Sequence, residues 1–185
     1  MTAPTFHKLS WTQFEKDCLA LYPKIKHITF DCIVSISRGG TVVSRIISDL
    51  LETLPISHIT ISSYHDLKKL DKPILTEESN RDFTDHTVLL IDEVSDTGET
   101  FHVAVDYLKK KGVKKIYTLS PYIKPHTTFH PDFWTQSIDA WIIFPYDILE
   151  TAQGFIKMLG SKEEAQKKLL EVGFEPWELD VVGKI

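Results

Sequence analysis

The sequence predicts an α/β fold, a mostly parallel twisted sheet flanked by helices. Short apolar runs alternate with amphipathic helical patterns along the chain. The turns richest in glycine, arginine and acids each follow a strand-like run, and in such sheets ligands bind at the carboxyl ends of the strands. No repeat, low-complexity tract or linker divides the 185 residues.

Composition bounds the class. With 42% hydrophobic and 25% charged residues, the chain is an ordinary globular protein with room for a substantial core. A net charge of −5 and no long Lys/Arg block argue against nucleic acid as a partner. Lys109–Lys111, with Lys114 and Lys115, fall at a helix end, where cations complement the dipole. Cys18 and Cys32 lack metal-ligand or CxxC spacing and sit among apolar residues, so they read as buried free thiols. Nothing resembles a signal peptide or reaches the length of a membrane span, and a cytoplasmic protein without membrane contact is the expectation.

In chain order, Ser10-Trp11-Thr12-Gln13 forms a capping box that opens a helix to about Leu21, ended by Pro23, with Trp11, Phe14 and Leu19 on its packing face. Asp31–Ile36 reads as a strand, Ser37-Arg38-Gly39-Gly40-Thr41 as a turn. A helix follows from Val42, with Val43, Ile46, Ile47, Leu50 and Leu54 on one side. Two glycines let backbone approach a ligand, and Arg38 offers a fork for oxyanions, although a plain turn between strand and helix reads the same. Ile59–Ser62 is a strand. It enters a polar stretch, residues 65–86, without clear periodicity, either a lid or binding loop or a hairpin with a loose tip.

Val88-Leu89-Leu90-Ile91 is a buried strand ending in Asp92 and Glu93; Val94-Ser95 then leads to Asp96-Thr97-Gly98-Glu99-Thr100. Phe101, Ala104, Val105 and Leu108 make one apolar helix face after this turn. Carboxylates can hold hydroxyls or a metal, and the free N–H groups of a helix start hold phosphate. The bland alternative is acids that merely cap the helix. Gly112 ends that helix, and Lys115–Ser120 is the next strand, leaving into Pro121-Tyr122-Ile123-Lys124-Pro125. Trp141-Ile142-Ile143-Phe144-Pro145-Tyr146-Asp147 follows. Ser161 opens a last helix to Glu171, stopped by Gly173, and Phe174, Pro176 and Trp177 dock it on the body.

The strand, two acids, two residues and Asp-Thr-Gly-x-Thr of residues 88–100 resemble the PRPP-binding motif of the type I phosphoribosyltransferases. The resemblance covers roughly residues 8–150. It implies that family's fold, with a small hood (about 121–150) and a flexible loop. Residues 1–150 would then be the phosphoribosyltransferase domain, and 151–185 a helical tail packed on it. By this resemblance Asp92 and Glu93 hold the ribose hydroxyls, Glu93 also contacting Mg²⁺, and Asp96 is the general acid/base. Asp96, Thr97, Gly98, Glu99 and Thr100 form the 5′-phosphate loop, with the Glu99 side chain pointing away from the phosphate. Arg38 and Gly39 bind pyrophosphate, with a strained or cis peptide expected at Arg38–Gly39. Either Lys68 or Lys69 reaches the pyrophosphate from the loop.

Ser62-Ser63-Tyr64 and the Trp141–Asp147 run resemble xanthine–guanine enzymes in particular. Lys124 then contacts the exocyclic oxygen of a 6-oxopurine, a cationic donor that the amino group of adenine would not accept. Trp141 stacks on the purine, with Ile142 beside it. The implied activity is Mg²⁺-dependent transfer of phosphoribose from PRPP to guanine, xanthine or hypoxanthine in purine salvage, by a homo-oligomer (dimer or tetramer). Two alternatives stand beside it: a PRPP- or nucleotide-sensing regulator on the same fold, and a phosphoribosyltransferase for another base.

Overall fold

Ser10 starts the first helix as the capping pattern predicts. In the computed structural model, which describes residues 5–65 and 68–182 (backbone alone at 63–65, 68–72 and 181–182), its hydroxyl accepts the Gln13 N–H at 3.1 Å. Strand β1 (Phe6–Lys8) precedes this helix, α1 (Trp11–Leu19). Of the expected packing face, Phe14 turns inward and Trp11 and Leu19 do not. Phe14 and Cys18, one turn apart, are fully buried, while Trp11 and Leu19 are 55% and 42% exposed. Pro23 lies in the first turn of a separate short helix, α2 (Tyr22–Ile25), where its missing N–H has no intrahelical partner to lose.

The central sheet is built from β2 (Cys32–Ser37), β3 (Ile56–His65), β4 (Lys68–Glu77), β5 (Thr87–Ile91) and, further along, β7 (Lys115–Leu119). Their order is β4-β3-β2-β5-β7. The pairs β2–β3, β2–β5 and β5–β7 are parallel, and only β3–β4 is antiparallel. Helix α3 (Gly40–Leu50) follows β2, and the two-residue strand β6 (Val94–Ser95) follows β5. Helix α4 (Glu99–Lys110) comes next, closed by Gly112 at φ 75° as expected. β6 pairs in parallel with β8 (Tyr122–Ile123), which pairs with β9 (Gln136–Ser137). The stretch read as an irregular connection therefore contains a strand, β4, and its hairpin with β3 is the alternative the sequence left open.

Val88 and Leu90 of β5 and Val34 and Ile36 of β2 pack with Phe101, Ala104 and Leu108 of α4. Their alternates Ile33, Leu89 and Ile91 are also fully buried. A parallel strand covered on both faces has no polar alternation, which is why β5 reads as an unbroken apolar run. Both cysteines are buried free thiols, as the flanking residues suggest.

Two compact units result: residues 15–138, holding this sheet, and the segment through Phe14 together with the chain from Asp139 on. In the second unit β1 pairs in parallel with β10 (Trp141–Ile143), Phe6 opposite Trp141 and Lys8 opposite Ile143. Helices α5 (Ile148–Leu159), α6 (Lys162–Glu171) and α7 (Pro176–Val182) complete it around Ile143, Ala152, Phe155, Ala165, Leu169 and Phe174. Ser161 caps α6, its hydroxyl accepting the Glu164 N–H. Phe174 is buried as expected, but Trp177 is 62% exposed; α7 turns Glu178 inward instead, 2.8 Å from Lys8 Nζ. No helix among the described residues is long and apolar enough to cross a membrane.

Candidate active site

Because β2 and β5 are neighbours, their carboxyl ends bring the turn after β2 against the acids after β5. A Cβ on Gly39 would fall on the carboxyl group of Glu93. One on Gly40 would lie 2.5 Å from the carbonyl oxygen of Ile91 and 3.0 Å from Cα of Asp92. The two glycines are there for close approach, since both continue into ordinary helical backbone at the start of α3. The cis peptide of this turn is Ser37–Arg38, one bond before the position expected. Arg38 is exposed.

Asp92 is 7% exposed, and its Oδ1 accepts the N–H of Glu93 at 3.0 Å. Burial first, and then the charge of Glu93, push its carboxyl well above the ordinary carboxylate range. Glu93 Oε2 is buried without a hydrogen-bond partner among the described residues, an acceptor available to a cation or a hydroxyl. No cluster of three or more His, Cys, Asp or Glu among the described residues could hold a metal. Two adjacent acids can offer a hard cation no more than a few oxygens of their own.

From β6 the chain passes through Asp96 and Thr97 to Gly98, which caps α4 at φ 90°. A side chain there would also meet Phe129, whose N lies 2.5 Å from the Cβ position. The Glu99 N–H turns back to Thr97 Oγ1 at 3.4 Å, and Glu99 itself is exposed. The first-turn N–H groups of α4 have no carbonyl one turn earlier to bond, which suits an anion.

A second loop, residues 124–129, is stitched to this one. Lys124 N donates to Ser95 O at 3.0 Å, and Thr128 gives both its N–H (3.0 Å) and its hydroxyl (2.7 Å) to Thr97 O. Ser95 Oγ donates to Phe129 O and lies 2.9 Å from Thr127 Oγ1. Lys124 is 9% exposed, so it is not a merely solvated lysine. His126 Nε2 lies 3.1 Å from Asp96 Oδ1. No sequence pattern signals this pair; the only hint is that His126 follows Lys124 by two residues at the exit of a strand.

The unit of residues 15–138 thus brings Gly39, Asp92 and Glu93 together, and gathers Asp96, Thr97 and Gly98 with the Lys124 loop. Trp141 and Ile142 belong to the other unit, on β10. Trp141 is 65% exposed, so it is not a core tryptophan, and Ile142 is buried. Lys68 and Lys69 open β4, opposite His65 and Tyr64; their side chains lie outside the described residues.

A family model described as phosphoribosyl transferase domain matches residues 12–151. Among solved structures, a purine phosphoribosyltransferase from Pyrococcus horikoshii is similar at TM-score 0.71 and 31% identity, over 77% of this chain and 94% of that one. The Helicobacter pylori xanthine-guanine-hypoxanthine phosphoribosyltransferase gives 0.65 and 26%, over 75% and 92%. A hypothetical protein from Neisseria gonorrhoeae, solved with bound ppGpp, gives 0.70 and 19%, over 87% and 100%, a likeness of fold alone.

Proposed function

The chain belongs to the phosphoribosyl transferase domain family, and from that premise we propose that it transfers the phosphoribosyl group of PRPP to a 6-oxopurine, releasing pyrophosphate. The observation that carries this reading is the anchoring of the Lys124 loop to Ser95–Thr97, which ties a buried cationic donor to the phosphate loop. A lysine donor suits the exocyclic oxygen of guanine, xanthine or hypoxanthine. The likeness to the Pyrococcus horikoshii and Helicobacter pylori enzymes supports the purine class.

In this reading Asp92 and Glu93 take the ribose hydroxyls. The N–H groups from Asp96 through Thr100, with the Thr97 and Thr100 hydroxyls, take the 5′-phosphate. Arg38, the Gly39 backbone and Lys68 or Lys69 neutralise the departing pyrophosphate. Asp96 accepts the proton of the purine ring N–H. The orphaned Glu93 Oε2, beside Asp92, fits Mg²⁺. When bound, Mg²⁺ supplies positive charge to the diphosphate.

The test is a panel of guanine, xanthine, hypoxanthine, adenine and orotate with PRPP and Mg²⁺, read as pyrophosphate release. Turnover of the 6-oxopurines and loss of about a hundredfold or more in kcat for Asp96→Asn are expected. Turnover of adenine or orotate alone would overturn the base assignment.

A further inference from the structure

Asp96 and His126 stand 30 positions apart in the chain and meet at 3.1 Å, with side chains 58% and 61% exposed. An exposed pair of this kind adds little to folding. The loop does not need it either: Thr127, Thr128 and the Lys124 N–H already fasten residues 124–129 to Ser95 and Thr97. Yet the contact engages one oxygen of the carboxylate that the reading above makes the proton acceptor. Among the described residues the Asp96 side chain makes no other hydrogen bond.

We propose that His126 is a positioning residue for Asp96: its Nε2–H holds Oδ1 and turns Oδ2 toward the proton of the purine ring. The inference rests on the transfer reaction proposed above. In that step the lone pair of a ring nitrogen forms the bond to C1′ of the ribose. The bond from C1′ to the pyrophosphate oxygen breaks, its electron pair leaving on pyrophosphate. The proton of the ring N–H passes to Asp96 Oδ2 and from there to solvent. A carboxylate on an exposed turn would otherwise sample several rotamers, and a single well-aimed donor removes most of that freedom. Because Lys124 and His126 share one loop, the group that recognises the exocyclic oxygen and the group that orients the proton acceptor move as one piece.

The test compares His126→Ala, His126→Gln and His126→Ala/Asp96→Asn with the unsubstituted protein. His126→Ala is expected to lower kcat by about ten- to a hundredfold, with KM for PRPP changed by less than about twofold and Tm unmoved. The Gln side-chain amide reaches the position of Nε2, so His126→Gln recovers kcat to within about threefold of the unsubstituted protein. In the Asp96→Asn background, His126→Ala costs nothing further, because the group it positions is gone. Long-range ¹H–¹⁵N spectra of the imidazole supply a readout independent of turnover: the Nε2–H proton is deshielded and slow to exchange beside the carboxylate in the unsubstituted protein and loses both marks in Asp96→Ala. Unchanged kcat in His126→Ala, equal losses in the Ala and Gln variants, or the same Nε2–H resonance in the unsubstituted protein and in Asp96→Ala overturns the role of His126 and leaves the transferase reading intact. Absence of turnover of any base by the unsubstituted protein overturns both.

Discussion

Asp92 is a carboxyl group under cover, and its environment works against its charge. Burial and the neighbouring Glu93 both favour the protonated form, while the hydrogen bond from the Glu93 N–H opposes them more weakly. An acid whose pKa is raised by folding binds more protons folded than unfolded between the two values. Its stability contribution is whole below the unfolded pKa and is lost as pH rises through the folded one. The ligand-free protein should therefore lose stability with rising pH over that window. Asp92→Asn, which keeps an oxygen to accept the Glu93 N–H, should flatten this component and raise Tm at neutral pH. Thermal melts of both proteins from about pH 4 to about pH 8 check it; a slope unchanged by the substitution would remove Asp92 as its source. That the two acids end a strand was legible locally, whereas their unequal burial was not, because it depends on which strands lie beside β5.

The turn between β2 and α3 meets the end of β5 at a distance that only glycine allows, but the two glycines face different neighbours. At Gly39 the obstacle is the far end of the Glu93 side chain, which can rotate away. At Gly40 it is the backbone of Ile91 and Asp92, which cannot. Gly39→Ala should therefore leave folding stability within about 1 kcal/mol while moving Glu93 and lowering kcat/KM for PRPP, and Gly40→Ala should cost about 1–3 kcal/mol. Urea unfolding of both variants beside steady-state kinetics separates the outcomes, and equal stability losses would refute the distinction. Element types were legible wherever a periodic pattern ran long enough, as in β5 and α4. β4 was not, since its hydrogen bonds come from β3 and its polar residues carry no alternation. Of the expected inner face of α1, Phe14 is buried but Trp11, the largest apolar residue there, is not; Cys18, one turn from Phe14, takes the inward place.

At the scale of the whole molecule, a chain that holds PRPP as proposed should be stabilised by it. PRPP with Mg²⁺ at about a hundred times Kd should stabilise the fold by about 2.7 kcal/mol, a rise of roughly 5–10 °C in Tm for a chain of this size. Chelation by EDTA, or Glu93→Gln, should remove most of that rise, as scanning fluorimetry with and without PRPP would show. A full shift in EDTA would mean that the chain grips PRPP without the ion. By itself the sequence determined the strand, the acid pair and the Thr-Gly turn of residues 88–100, because these are local: apolar period, turn chemistry and helix start lie within a dozen residues of one another. Only the tertiary structure decided what they meet. The cover of Glu93 over Gly39, the stitching of Lys124 to Ser95 and the contact of His126 with Asp96 join segments about thirty or more positions apart. Such contacts follow from which strands are neighbours in the sheet, and no spacing along the chain encodes that.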